Sequence, residues 1–464
     1  MQLSRSFASA VTTHVRCTAR TRTLWTAATC SHPDLATALS RCLPESTPSA
    51  PPTKDSVTIV LASRSYPGSD LLTLPEKIPE HVSKSSFILG AVVDRVPTKS
   101  GHGVSTLTLT PAHASTPSAD RLIQCRPFYL SGADSRRKRL KEKSVGKWAR
   151  SQDIEERSLD TADAWSSFKS ISIGQNQVQV PAAILSPQSE GGAEHQEQDV
   201  LMISDLEVHQ FLEALDVASP TASKVGLMAS STPFITGRPV TMFYDGKLVQ
   251  DGVLGVSLVK KAGSHKHIEG ATRTSVEYPS MAPLGPAMQI TRCRGNIILE
   301  LDESNATRLL LDRLQATTLT KDKEFFLATG EPTTADQDED SNVDMSNATV
   351  YRITGGDPSK GNMAVDTVHD LKVGQWVQFI HHDKVQEHGH FVSPDRAHKD
   401  TVRFTTSDPN NTIEEQSSMA SRSDSDDTVQ ATFGGSSENG FIVGQANEGT
   451  WVCTVADSVL WHKL

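Results

Sequence analysis

Alternating and continuously apolar stretches dominate the chain and predict a β-rich protein with a few flanking helices. Residues 57–62, VTIVLA, form a β-branched apolar run, the pattern of a strand buried on both faces. Phe87 to Val96 (FILGAVVDRV) predicts a second core strand, and Gly90 within it marks a bulge or a close backbone approach. Val104 to Leu109 alternates and predicts a third. Val240, Met242 and Tyr244 alternate with Thr241 and Phe243, after which Asp245-Gly246 supplies a two-residue turn. Asp-Gly suits type I′, where both central residues need φ > 0. Beyond a second Asp-Gly at 251–252, Val253 to Val259 is too apolar for a solvated edge and is placed in the middle of a sheet. Val200 to Ile203 reads as a strand. Helical stripes run from Ala27 to Leu43, started at His32-Pro33-Asp34, and from Asp205 to Leu215, capped by Ser204 or Asp205.

The second half begins at Pro286. Met288 to Cys293 and Asn296 to Leu301 read as strands around a tight turn at Arg294-Gly295-Asn296. Asp302-Glu303-Ser304 starts a helix through Leu314. Phe325 to Ala328, Val350 to Thr354, Met363 to Val365, Trp376 to Ile380, Phe441 to Val443 and Trp451 to Val455 read as further strands, with a turn at Gly355–Pro358. The polar stretch 261–285 is the candidate connector between two lobes, 25–260 and 286–464. Acidic or Ser/Asp-rich insertions near 329–348 and 405–430 are expected to be disordered. The fold class expected is α+β or mixed α/β, as two β-rich lobes with flanking helices.

Composition narrows the function classes. A net charge of −10 over 464 residues argues against a dedicated nucleic-acid binder. The strongly basic run 136–150 is a phosphate or nucleic-acid patch, a nuclear signal, or a solvated face; no aromatic platform interleaves it. The six cysteines show no CxxC and no zinc-ligand spacing, and are read as reduced thiols. No apolar run is long enough to span a bilayer. Residues 1–24 are rich in Arg, Ser and Thr, and the first acid is Asp34. That is the composition of a mitochondrial transit peptide, with a disordered basic tail as the alternative. The expected location is the mitochondrial matrix, otherwise the cytoplasm.

Candidate chemistry is sparse. Residues 230–239, SSTPFITGRP, hold hydroxyls, a glycine and one arginine between two prolines. Such a loop can receive an anionic or zwitterionic small molecule, with Ser231, Thr232 and Thr236 donating and Arg238 pairing bidentately with a carboxylate. The alternative is a structural loop whose hydroxyls cap its own backbone. Ser63 and Arg64 end a buried strand, a common ligand position in open α/β sheets. His381, His382, Asp383, His388 and His390 cluster after a strand, but neighbouring strand residues point to opposite faces, so no metal site is assigned. There is no G-x-S-x-G elbow and no P-loop lysine; no catalytic residue and no cofactor is assigned, and no enzyme is expected. Leu71–Ile78 is superficially similar to the start of an F-box, but strand patterns follow from residue 81, so no F-box is assigned.

A resemblance runs through these motifs. Residues 223–258, with VTIVLAS, FILGAVVD and the GVLGVSL ending, look like the N-terminal half of FIST domains, named for F-box and intracellular signal transduction proteins. ITRCRGNIILELD (290–302), YRITGGDPSKGNM (351–363) and VGQWVQFIHHD (373–383) look like the C-terminal half. FGGSSENGFIV and WVCTVADS stand where the bacterial pattern has a cysteine- and glycine-rich signature. The resemblance implies a sensory module for a small ligand such as an amino acid, held between the lobes. Animal relatives join the domain to an F-box in ubiquitin ligases, which leaves a protein-interaction scaffold as the alternative.

Overall fold

The computed structural model describes residues 25–43, 56–82, 86–111, 121–135, 178, 180–185, 196–261, 273–279, 281–316, 324–333, 341–346, 348–367, 370–382, 401–407 and 431–464. Residues 1–24, the basic run 136–150, residues 262–272 and 280 of the connector, 334–340, 347 and 408–430 of the two insertions, and Asp383, His388 and His390 lie outside these residues.

The chain is β-rich, with few helices, as its apolar pattern predicts. One six-stranded sheet has the order β1 (Trp25–Cys30), β4 (Val104–Leu109), β2 (Val57–Ser63), β3 (Phe87–Val93), β10 (Met242–Tyr244), β11 (Lys247–Val249). A second runs β5 (Arg121–Leu130), β12 (Val253–Lys261), β6 (Gln196–Ser204), β7 (Ser223–Met228), β24 (Phe441–Gly444), β25 (Trp451–Cys453). The two repeat one topology. In each, the central strand has an antiparallel neighbour on one side and a parallel neighbour on the other, and a hairpin completes the far edge. In each, the parallel pair is joined by a crossover with a helix, α2 (Gly68–Lys77) between β2 and β3 and α4 (His209–Ala218) between β6 and β7. A single helical turn, α3 (Gly132–Ser135), follows β5.

The sheets pack face to face. Ile59, Leu61, Leu89, Val93 and Leu107 of the first meet Leu201, Ile203, Val225, Leu227 and Val256 of the second in one cluster. The opposite faces are covered by helices. α1 (Leu35–Cys42) and α2 pack on Val60, Ala62, Ile88 and Val92, while Phe211, Leu212 and Leu215 of α4 pack on Val200, Met202 and Ile442. Covering on both sides explains why every residue of β2 is buried. The glycine inside each parallel partner strand has the same cause. A Cβ on Gly90 would lie 1.9 Å from Val60 O, and one on Gly226 would lie 2.5 Å from Met202 O.

The C-terminal part builds a ring. β15 (Met288–Arg294), β16 (Ile297–Leu301), β20 (Asn362–Val365), β19 (Thr349–Asp357), β18 (Phe325–Thr329) and β21 (Trp376–His382) pair in turn, and β21 returns to β15. Short strands β14 (Met281–Pro283) and β17 (Ser304–Asn305) add to it. Its interior holds Ile290, Ile298, Leu327, Val377 and Phe379, with Leu310 and Leu314 of α5 (Ala306–Ala316) against them. A four-stranded sheet, β13 (Thr274–Glu277), β26 (Val459–Lys463), β22 (Thr401–Thr406), β23 (Phe433–Ser437), joins ring to sandwich. A two-stranded ribbon pairs β8 (Ser231–Thr232) with β9 (Arg238–Val240).

Several expectations need correction. Residues 25–30 are strand, not helix; the helical stripe is real only from Leu35, where Asp34 caps it by accepting from Thr37 N at 2.8 Å. Neither Ser204 nor Asp205 caps α4, which begins after Val208. Asp205 instead accepts from Gly252 N (2.6 Å) and Glu207 N (3.0 Å), tying the β6 end to β12. β19 continues through Gly355 and Gly356, with its turn closing at Asp357–Gly361. The type I′ turn forms as expected, with φ of 50° at Asp245 and 72° at Gly246, and β12 lies between β5 and β6.

Candidate functional site

The carboxyl ends of β2, β3 and β7 converge, as the repeated parallel crossovers require. Ser230 N donates to Val92 O (3.2 Å) and Arg64 N to Val93 O (2.7 Å). The end of β23 closes over them: Asp94 N donates to Ser436 O (2.9 Å) and Ser436 N to Arg95 O (2.8 Å).

Charge concentrates here. Arg64 Nε stands 2.8 Å from Asp94 Oδ1, and its Nη1 3.5 Å from Glu438 Oε1. Arg95 Nε lies 3.8 Å from Asp94 Oδ2. Glu438 Oε1 also accepts from Ser231 N at 2.7 Å, and Asn439 Nδ2 donates to Ala229 O (2.9 Å) and reaches Ser231 Oγ (3.3 Å). The Arg64 side chain keeps 23% of its surface exposed, against 14% for Glu438 and 3% for Asp94, so the guanidinium lies at the rim and the acids beneath. Among the described residues, Glu438 Oε2 and the buried hydroxyls of Ser230 and Ser436 have no hydrogen-bond partner. Polar atoms left unpaired at one end of a sandwich mark a place for water or ligand.

A second hydroxyl chain starts at the same strand end. Ser63 Oγ donates to Asp94 O (3.1 Å) and lies 2.8 Å from Ser65 Oγ, which is 2.5 Å from His102 Nδ1. His102 Nε2 lies 2.9 Å from His32 O, to which Tyr66 OH also donates at 2.8 Å. Burial holds the His102 pKa below the ordinary histidine value.

The structure brings Ser63, Arg64 and Ser231 together. It places Thr232 and Thr236 differently. Thr232 Oγ1 bonds Thr241 Oγ1 (2.8 Å) and Arg238 O (3.1 Å), and Thr236 Oγ1 bonds Thr241 Oγ1 (2.7 Å) and Thr232 O (3.2 Å). These hydroxyls are spent inside their own loop. Arg238 Nη1 reaches Val249 O at 3.4 Å, on the β10–β11 hairpin. Sequence reading missed Asp94, Glu438 and Asn439. Asp94 was visible as the acid ending FILGAVVD, but Glu438 and Asn439 lie more than 200 residues from Ser231 in the chain, and only the fold joins them. Among the described residues no group of three His, Cys, Asp or Glu could hold a metal ion; His382 Nε2 faces Asp457 Oδ2 at 3.3 Å, and Asp383, His388 and His390 lie outside those residues.

Paired sheets with matching crossovers and a polar, charged end define a β-rich domain. Residues 130–304 match the family model of the FIST N domain, which supports reading the chain as carrying a FIST domain. The FIST N domain is a sensory domain of signal transduction. No curated protein matches the chain. No described helix is long and apolar enough to cross a membrane.

Proposed function

We propose that the chain senses a small zwitterion, an amino acid or a related amino-carboxylate, at the carboxyl ends of β2, β3 and β7. Support comes from one arrangement: a rim guanidinium above a carboxylate that keeps one oxygen unpaired. The ligand carboxylate pairs with Arg64, and its ammonium donates to Glu438 Oε2. Ser231 and Asn439 set the Glu438 carboxylate; Ser63 holds the Asp94 backbone. Thr232, Thr236 and Arg238 shape the loop beside this site. The two sequence lobes then both contribute, since Glu438 comes from the far C-terminal part.

Calorimetric titration with the standard amino acids tests the reading. Arg64→Ala is expected to weaken binding by about 100-fold or more, the size of a lost charge-assisted pair of roughly 3 kcal/mol. Glu438→Gln is expected to weaken amino acids while sparing carboxylates that lack the amine. Equal affinity for both ligand types in wild type and Glu438→Gln removes the zwitterion reading.

One observation favours the scaffold alternative. Phe234 is 101% exposed at the tip of the 233–237 loop, with Ile235 beside it at 37%. An apolar tip of this kind is a hot-spot anchor for a protein partner. Phe234→Ser is expected to abolish co-purification of such a partner and leave amino-acid affinity unchanged.

A further inference from the structure

We propose that Ser65 is a nucleophile and His102 its general base, and that this pair cleaves small carboxylic esters. The pair follows from the turn between β2 and α2, which holds the Ser65 side chain out of the core. Ser65 is exposed, and its Oγ lies 2.5 Å from His102 Nδ1. A carbonyl oxygen only accepts, so the 2.9 Å contact of Nε2 with His32 O places the imidazole proton on Nε2. The lone pair of Nδ1 therefore faces the Ser65 hydroxyl. The third group that orients a catalytic base is here a backbone carbonyl. Tyr66 fixes the ring further, with its own ring 4.3 Å away and its hydroxyl bound to the same carbonyl. Because burial disfavours the imidazolium, His102 is neutral at pH 7 and free to take a proton.

The step balances without a further reagent. Ser65 Oγ bonds to the ester carbonyl carbon as its proton passes to His102 Nδ1. The ester C–O bond then breaks, and the departing alkoxide takes that proton. Water attacks the acyl-serine, gives its proton to Nδ1, and Ser65 leaves with that proton restored.

The full chain is treated with a biotin-tagged fluorophosphonate and, separately, with 4-nitrophenyl acetate, and the labelled peptide is mapped by mass spectrometry. The fluorophosphonate loses fluoride as Ser65 Oγ bonds to phosphorus. The expected result is a single label on Ser65, absent in Ser65→Ala, with ester turnover that falls by about 100-fold or more in His102→Gln. In wild type the labelling rate should rise with pH and level off below the ordinary histidine value of about 6.5, as His102 loses its proton. The pH profile needs no variant, so a misfolded His102→Gln leaves the test intact. Folded wild-type protein that takes no label and turns over no ester overturns the proposal. So does a label placed elsewhere, a pH-independent rate, or His102→Gln labelled as fast as wild type.

Discussion

Asp199→Ala is expected to lower the unfolding free energy by about 3–5 kcal/mol, the cost of breaking a buried charge pair by removing one partner. Asp199 is fully buried in β6, and its Oδ2 gathers Lys260 Nζ at 2.7 Å, Arg273 Nη2 at 2.9 Å and His462 Nε2 at 3.8 Å. Those partners sit on β12, just before β13, and on β26, so one carboxylate holds the second sheet of the sandwich to the four-stranded sheet. Thr274 Oγ1 fixes the other side of the imidazole, 2.8 Å from His462 Nδ1. Desolvation by itself pushes the Asp199 carboxyl up. The nearby His462 imidazole and the charges of Lys260 and Arg273 outweigh it and hold the carboxyl well below the ordinary carboxylate value. A depressed folded pKa means that this stability is complete above the unfolded value of about 3.9 and drains away as pH falls from there toward the folded value. Urea unfolding at pH 7 and at pH 3 measures both points. The Asp199→Ala deficit should be large at pH 7 and smaller at pH 3, with the midpoint moving and the slope unchanged. A deficit below about 1 kcal/mol at pH 7 would show that the cations simply return to water.

Much of the sandwich was legible because its strands are covered twice. VTIVLA, FILGAVVD and VLGVSLV carry apolar side chains on both faces, and such runs have one sensible home. Gly90 announced its close approach, and Asp245-Gly246 its turn, for local steric reasons that need no tertiary context. The misses have equally physical causes. TAATC, in β1, alternates too weakly to separate from the helix that follows, and its strand state comes from pairing with β4. β23 reads FGGSS, a sequence with little strand propensity. It is held because Gly435 fits between Leu61, Leu227 and Val93, where a side chain would crowd. The repeat of the two sheets was hidden by chain order: the hairpin completing the first sheet lies at 242–249, whereas the strands completing the second come almost 200 residues later. The site shared this fate. Ser63 and Arg64 were visible as polar residues ending an apolar strand and Ser231 as a hydroxyl of the polar loop 230–239, but Glu438, the acid beside Arg64, arrives from that distant segment.

That late segment leads to the largest expected effect. A chain ending at residue 430 should lack a cooperative unfolding transition, although the span matching the FIST N domain is complete. Removing the rest strips β24 and β25 from β7, exposing a central strand as an edge, and takes β23 and β26 from the joining sheet. It also uncovers Leu61, Val93 and Leu227, which β23 separates from solvent. What remains keeps its apolar faces without specific packing against them, the condition for a compact, dye-binding state with lost near-ultraviolet dichroism. Phe441→Ala isolates the same contribution in the whole chain. Phe441 is 0% exposed between the sheets, pairs with Leu227 and Cys453, and its truncation should cost about 3–5 kcal/mol. Thermal scans with near-ultraviolet detection distinguish the cases. A sharp transition in the shortened chain, or a Phe441→Ala loss under about 1 kcal/mol, would mean that the first 430 residues close their own sheets and that the C-terminal strands merely rest on them.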